Sequence, residues 1–330
     1  MAEFLTFDTD LTAVANAIRV KGGTSAQLIY PSGFVSAIQA IQTGITPKLV
    51  VTTTPGAAIT ATPAEGFKVV KGTAGADGMC TLELPKAGTW HVTAMANSVS
   101  NSQHIVIGTQ NMLLPLYHDT FANNTWEEII TVCRTGIAPD SWAVGDSKTM
   151  NIGGTAYQVD IIGKNHDEYA DGFGTAPLTF QLHDCYSEAK QMYSTNLSGL
   201  GWKNTDMRLT YLPAILALMP AEVQNGIHAV NKKTSEGGNS TTIEIVSDTL
   251  FLLSEVEIFG TASSSVAGEG SQYDYYKAGN PKIKKREGVD EFWWERSSAS
   301  GGMFCRVRAN GQAGASNASN SLGVSFAFCF

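Results

Sequence analysis

Three patterns of apolar positions succeed one another along the chain. In residues 1–45, Leu11, Val14, Ala15 and Ile18 recur at helical spacing, Asp10 can cap the start, and Gly22-Gly23 ends the run. Phe34, Val35, Ile38 and Ile41 repeat the pattern after Pro31-Ser32-Gly33. Two short amphipathic helices cannot enclose a core, so this segment needs a neighbour, most simply copies of itself. In residues 46–110 the pattern becomes one of short strands, at Lys48 to Thr53, Phe67 to Val70, Cys80 to Leu84, Trp90 to Ala94 and His104 to Ile107. Pro55, Gly72, Gly75, Asp77-Gly78 and Lys86 to Gly88 supply the turns between them. Short strands at regular spacing predict a small β-sandwich.

Residues 111–330 mix both periods and predict one larger α+β domain. Thr125 and Glu128 make a capping box ahead of a helix that buries Trp126, Ile129, Ile130 and Cys133. Leu212, Ile215, Leu216 and Met219 mark a second helix, and Pro220 suits the first turn of a third that carries Val223 and Ile227. Ile243 with Ile245, and Leu250 with Leu252, alternate as strands do. From Val324 the alternation is strict, with Val324, Phe326, Phe328 and Phe330 on one face and Ser325, Ala327 and Cys329 on the other. A chain that stops within such a pattern is expected to have its end held in a sheet.

Length and charge narrow the classes. At 330 residues the chain has room for two or three domains. Its net charge of −8 argues against a nucleic-acid footprint. No apolar run reaches the length of a membrane span, and the acidic start MAEFLTFDTD lacks the basic region of a signal peptide. The five cysteines, Cys80, Cys133, Cys185, Cys305 and Cys329, are odd in number and form no CxxC pair, so reduced thiols are expected. A Cys305–Cys329 bridge stays open, since both lie in candidate strands.

The stretch EFWWERSSASGGMFCRVRANG, residues 291–311, raises a question of purpose. Trp293, Trp294, Phe304 and Val307 are large enough to anchor strands, and Asn310-Gly311 is a strong hairpin signal. Between these anchors lie small residues with little to pack. The combination fits either a core hairpin with a loose turn or a rigid platform that displays exchangeable residues.

Several segments carry resemblances. DLTAVANAIRVKGG with YPSGFVSAIQAI resembles an N-terminal segment of tail and minor structural proteins of phages of Gram-positive hosts. GADGMCTLELPKAGTWHVTA resembles the core of immunoglobulin-like and carboxypeptidase-regulatory-like modules. From about residue 120, the ordered segments WEEIITVCRTGIA, WAVGD, IIGKNHDE, LTFQLHD, LGWKNTDMR, LPAILALMPAEVQNGIHAVNKKT, DTLFLLSEVEIFG, EGSQYDYY, FWWERSS and GVSFAFC resemble a bacterial and phage domain family. That family has a C-type-lectin-like fold akin to the formylglycine-generating enzyme. It includes phage receptor-binding proteins and variable proteins of diversity-generating retroelements.

The resemblance implies three domains: a helical attachment or oligomerisation segment over 1–45, an immunoglobulin-like spacer over 46–110, and a C-type-lectin-like display domain over 111–330. It implies a virion protein of the phage tail, made in a bacterial cytoplasm, non-enzymatic and without a cofactor. Its expected partners are a bacterial surface protein or glycan, other tail proteins and, as a homotrimer, its own copies; nucleic acid and membrane insertion are not expected. The variable window would run from Glu295 to Phe326. Contact residues are expected between the anchors, at Glu295, Ser298, Ala299, Gly301, Gly302, Met303, Arg306, Arg308, Gln312, Ala315, Ser316 and Leu322. Scaffold anchors are expected at Trp293, Trp294, Arg296, Phe304, Val307, Val324, Phe326 and Phe328. The alternatives are a structural tail or baseplate protein, and a copper-dependent oxidase using Cys305 and Cys329, because relatives of this fold use paired cysteines.

Other chemistry is thinly signalled. His166-Asp167 and His183-Asp184, with Asp160, Glu168 or Asp171, have ligand types for a divalent metal but no ligand spacing. The EPN-type and WND triplets of calcium-dependent sugar-binding lectins are missing. Lys282, Lys284, Lys285, Arg286, Arg296, Arg306 and Arg308 form a basic cluster interleaved with Glu287, Asp290, Glu291 and Glu295. Gln272, Tyr273, Tyr275 and Tyr276 could line a sugar or protein site, or pack against the core.

Overall fold

The computed structural model describes residues 15–18, 47–64, 68–85, 87–107, 110–197, 199–238 and 240–330. The helix expected over Phe34 to Ile41, and most of the one around Leu11 to Ile18, lie outside these; residues 15–18 are helical. The fold is mixed, with sheets outweighing helices. The chain divides into two compact units, Met1–Leu116 and Tyr117–Phe330.

The first unit is built from two sheets over one core. In one sheet, β1 (Lys48–Thr52) lies between antiparallel β4 (Met79–Glu83) and parallel β7 (Gln110–Leu113). In the other, the order is β3 (Val70–Thr73), β2 (Ala58–Pro63), β5 (Gly88–Ala96), β6 (Val99–Ile107), all antiparallel. Alternate residues enter the shared core: Leu49, Val51 and Leu82 from the first sheet, Ile59, Ala61, Trp90, Val92 and Ala94 from the second.

Three expectations change here. Gly72 is a strand residue, not a turn: a Cβ there would sit 2.5 Å from Cys80 Sγ and 2.7 Å from Leu82 Cδ2, so only glycine lets β3 lie against β4 of the facing sheet. Strand β2, AITATP, escaped notice because alanine and proline weaken its strand signal. Residues 111–116 belong to this unit and not to the C-terminal one, since β7 pairs with β1 and Leu114 and Leu116 join the same core.

The second unit holds the larger core. Helix α1 (Trp126–Cys133) starts on the expected capping box: Thr125 Oγ1 accepts from Glu128 N at 3.1 Å, and Glu128 Oε2 accepts from Thr125 N at 2.7 Å. A four-stranded sheet follows in the order β18 (Ala327–Cys329), β10 (Thr179–Leu182), β9 (Thr155–Gly163), β8 (Ser147–Ile152). Strand β10 is buried along its whole length, and Phe180 stacks on Phe121 and Phe328. The phenylalanines of the closing segment bury, and so do Ser325, Ala327 and Cys329 opposite them; Phe251 bridges Ala327 on the outer side of β18. Helices α2 (Leu212–Leu216), entered through a π-helical turn at Met207–Tyr211, and α3 (Ala221–Gly226) bury Leu212, Ile215 and Val223.

Strands β11 (Val230–Ser235) and β12 (Ile243–Asp248) form a two-stranded ribbon. Ile245 is 62% exposed on it, and Val246 and Asp248 face inward instead. The inward choice is set by Asp248, which accepts from Trp202 Nε1 at 2.8 Å and Arg208 Nε at 2.6 Å. Leu250 to Leu253 form a buried segment rather than the expected alternating strand. Helices α4 (Glu255–Phe259) and α5 (Asp274–Lys277) precede the hairpin of β13 (Lys284–Arg286) and β14 (Val289–Glu291). The last sheet is β15 (Trp293–Ser298), β16 (Met303–Val307) and β17 (Ala313–Asn317).

Candidate functional site

The β15–β17 sheet is fixed to the body through its first strand. Every residue of β15 is buried, polar ones included. Trp293 Nε1 donates to Lys282 O at 2.9 Å and Trp294 Nε1 to Lys190 O at 2.8 Å, so both rings are packed and satisfied. Arg296 donates to both carboxylate oxygens of Glu257 and to the carbonyls of Lys233, Leu252 and Glu269. Glu257 also receives Lys232 Nζ at 2.8 Å, and Lys232 reaches Asp167 Oδ1 at 2.6 Å. Tyr273 and Thr179 donate to Asp167 as well. Burial alone would raise the Asp167 carboxyl, but Lys232, His166 and these hydrogen bonds outweigh it and hold it at about 2. This alternating chain of buried charges ties β15 to α4, to β11 and to the loop before β10.

Two tight hairpins then set the display strands. Between β15 and β16, Ala299 N donates to Met303 O at 2.9 Å, and Gly301 and Gly302 take φ of +68° and +76°. Between β16 and β17, Gly311 N donates to Arg308 O and Arg308 N to Gln312 O, both at 2.7 Å, with Gly311 at φ +81°. That is a three-residue hairpin loop with glycine in the left-handed position, the role the Asn310-Gly311 pair suggested.

This geometry divides the proposed contact residues. Glu295, Ser298 and Ala299 are buried, which corrects their assignment as surface contacts: β15 is the edge strand of its sheet but is covered along its whole length, and Ala299 continues it into the turn. Gly302 is not an exchangeable position either, because a Cβ there would lie 2.5 Å from Asn196 O. Gly301, Arg308 and Gln312 are exposed, and Met303, Arg306, Ala315, Ser316 and Leu322 are half-buried. These do not share one face. Strand alternation and the pairing of Phe304 with Ser316 and Arg306 with Gly314 put Arg306, Arg308 and Ser316 on one side. Met303 and Ala315 lie on the other side, with Cys305. Phe304, Val307, Val324, Phe326 and Phe328 are fully buried.

The Cys305 side has unusual electrostatics. Burial, then Glu255 and Glu269 nearby, push the Glu295 carboxyl well above the usual carboxylate range, and neither of its oxygens has a hydrogen-bond partner. Glu255 stays ionised because Ser263, Ser264 and Ser265 wrap its carboxylate with backbone and hydroxyl donors. Burial, followed by Glu295, Glu255 and Glu269, drives the Cys305 thiol far up. Cys329 lies elsewhere, its Sγ 3.5 Å from Thr179 Oγ1 and 3.7 Å from Asp167 Oδ2, and burial and Asp167 raise it too. The two thiols are free, so no bridge joins them. Neither is the ready thiolate that a soft ion requires.

The remaining candidates are structural in their contacts. His166 stacks on Tyr273 at 3.9 Å, and His183 Nδ1 lies 2.7 Å from Asp160 Oδ2. Asp184 accepts from Lys285 N. Tyr273, Tyr275 and Tyr276 are buried, and Tyr276 donates to Gln181 Oε1 at 2.7 Å, so the tyrosine patch belongs to the core. Lys284 is buried and donates to Leu182 O and His183 O; burial lowers its ammonium to about 8.

One concavity had no signal in the sequence. A cleft of about 570 Å³ opens between α1, α3 and the Tyr169 loop. Beside it, Phe173 is 86% exposed at the tip of a loop closed by Tyr169 N to Gly174 O at 2.9 Å, and His228 Nε2 lies 2.8 Å from Asp171 Oδ2. Its walls come from four separate stretches of chain, which no local pattern could join.

A family model described as a domain of unknown function, DUF6273, matches residues 179–330. The match covers β10 to β18 and so includes the whole candidate surface. Neither the curated proteins nor the solved structures contain a match to this chain.

Proposed function

We propose that this chain is a phage tail receptor-binding protein, an adhesin that works by reversible binding. In this reading the C-terminal unit is a C-type-lectin-like display domain, the two-sheet unit before it is an immunoglobulin-like spacer, and the N-terminal segment attaches or trimerises the molecule in the virion. The observation that carries the reading is the contrast across one sheet. A completely buried, charge-locked β15 supports β16 and β17, whose outer edge presents Arg306, Arg308, Gln312 and Ser316. A rigid frame under solvent-facing side chains is what recognition needs, because little order has to be gained on binding. Several copies on one virion would add avidity to a weak single contact.

The test is binding of the labelled whole chain to a panel of Gram-positive bacteria and their envelope fractions. Selective adhesion that weakens when Arg308, Gln312 and Ser316 are replaced together supports the adhesin. Incorporation into virions without adhesion to any cell would replace it with a structural tail protein.

A further inference from the structure

Arg306 and Arg308 stand side by side on the outer face of the β16–β17 hairpin in a chain of net charge −8. Among the described residues, neither forms an ion pair. Glu291, at the end of β14, is already taken by Arg286 through Nε at 2.9 Å and Nη2 at 2.8 Å. Glu295 faces the Cys305 side of the sheet, where burial raises its carboxyl well above the usual carboxylate range, and it forms no hydrogen bond or ion pair with either arginine. Burial and then the neighbouring Arg308 disfavour the charge on Arg306, and Glu295 offsets them only in part.

The Arg306 guanidinium is held in place, and that of Arg308 lies beside it over open backbone. The Arg306 Nε donates to Ala315 O at 3.2 Å and to Ser316 Oγ at 2.5 Å, and its Cζ lies 4.3 Å from the centre of the Phe292 ring. Its Nη1 is buried and has no partner. Arg308 lies across Gly314, where a Cβ would come within 2.8 Å of Nε, so the missing side chain at Gly314 makes its seat. Phe292 itself is 38% exposed beside them. Two adjacent guanidiniums without a counter-charge are a costly arrangement that an oxyanion on the exposed side would relieve.

We propose that Arg306 and Arg308, seated on Phe292 and Gly314, form a binding ledge for a phosphate group. A phosphate offers enough oxygens to accept from both guanidiniums at once, whereas one carboxylate is filled by a single fork. In the adhesin reading, on which this step of the identification rests, the group is a phosphodiester of an envelope polymer. The ledge itself does not depend on that reading.

The experiment is calorimetric titration of the whole chain with inorganic phosphate and, at equal ionic strength, with acetate. Wild-type protein is expected to bind phosphate, with acetate at least tenfold weaker. Arg308→Gln, an exposed position that leaves folding intact, should weaken phosphate by about tenfold or more, the loss expected for one charge-assisted contact. Arg306→Lys should do the same by removing the fork while keeping the charge, with its melting temperature checked. No phosphate binding, equal binding by Arg308→Gln, or acetate binding as tightly as phosphate overturns the ledge. A glycerol-phosphate polymer and a galacturonate polymer, tested alongside, separate phosphodiester from carboxylate sources. If phosphate binds at the ledge but the chain adheres to no cell, the adhesin falls and the ledge stands. If the chain adheres to cells without binding phosphate, the reverse holds.

Discussion

At the scale of single residues, Glu295 and Asp167 behave oppositely, and the difference is measurable. Glu295 is raised by burial among Glu255 and Glu269, with no donor to its oxygens. A carboxyl raised in the folded state lends its stability at low pH and loses it as pH climbs past the unfolded value near 4.5. Glu295→Gln removes that loss. Its melting temperature relative to wild type should therefore grow between pH 5 and pH 7, by an amount worth about 1–3 kcal/mol. A constant offset across those pH values would mean that Glu295 is solvated. Asp167, held at about 2, contributes above the unfolded value of 3.8 and loses it as pH falls through 2. That contribution is about 2 kcal/mol. Asp167→Asn should lose about 3–5 kcal/mol at neutral pH, because Lys232 is left with one carboxylate fewer in a buried site. Urea titrations at pH 7 and pH 3 measure both effects, and the gap between variant and wild type should narrow at the lower pH.

At the scale of elements, the two glycines of the β15–β16 hairpin differ in what they do. Gly301 and Gly302 share a left-handed backbone, so alanine at either costs about 1 kcal/mol. Only Gly302 also faces the backbone of Asn196, whose loop receives Ser319 Oγ at Asn196 Oδ1. Gly302→Ala should therefore destabilise by about 2–4 kcal/mol and Gly301→Ala by about 1. Chemical denaturation of the two variants makes the comparison. Equal losses would mean that the Asn196 loop yields freely. The same contrast separates display from support along β16 and β17: the exposed positions Arg308, Asn310 and Gln312 can vary, while Gly311, in its left-handed turn position, and the positions pressed against Asn196 and β15 cannot.

At the scale of the molecule, two separate cores predict two unfolding events. One is built on Trp90, Ile59 and Leu82, the other on Trp126, Phe180 and Trp293. Calorimetry should resolve two transitions, and Glu295→Gln should move only the one that belongs to residues 117–330. A single transition moved as a whole by that substitution would show the units to be cooperative. The division also places every side chain of the candidate surface, and of the cleft beside Phe173, in the second unit.

Local chemistry was enough for some of this. The capping box of Thr125 and Glu128, the glycine-closed turn at Asn310-Gly311 and strands β1, β4 and β5 of the first unit follow from nearest-neighbour rules, so they can be read without a partner in space, whereas β2 and β7 cannot. The inward face of β12 could not, because it is chosen by Asp248 meeting Trp202 and Arg208, some 40 or more positions away in the chain. Small residues at Ser297, Ser298, Ala299 and Gly302 look exchangeable in the sequence, where nothing marks what covers them. Only the tertiary structure brings α4 against Ser297 and Asn196 against Gly302, and buries Ser297, Ser298 and Ala299. The Arg306 and Arg308 pair is visible as two letters, but its lack of a counter-charge is a property of distances. Patterns within a few residues are set by backbone geometry and solvent exclusion, whereas burial and charge balance at a site depend on segments that meet only when the chain is folded.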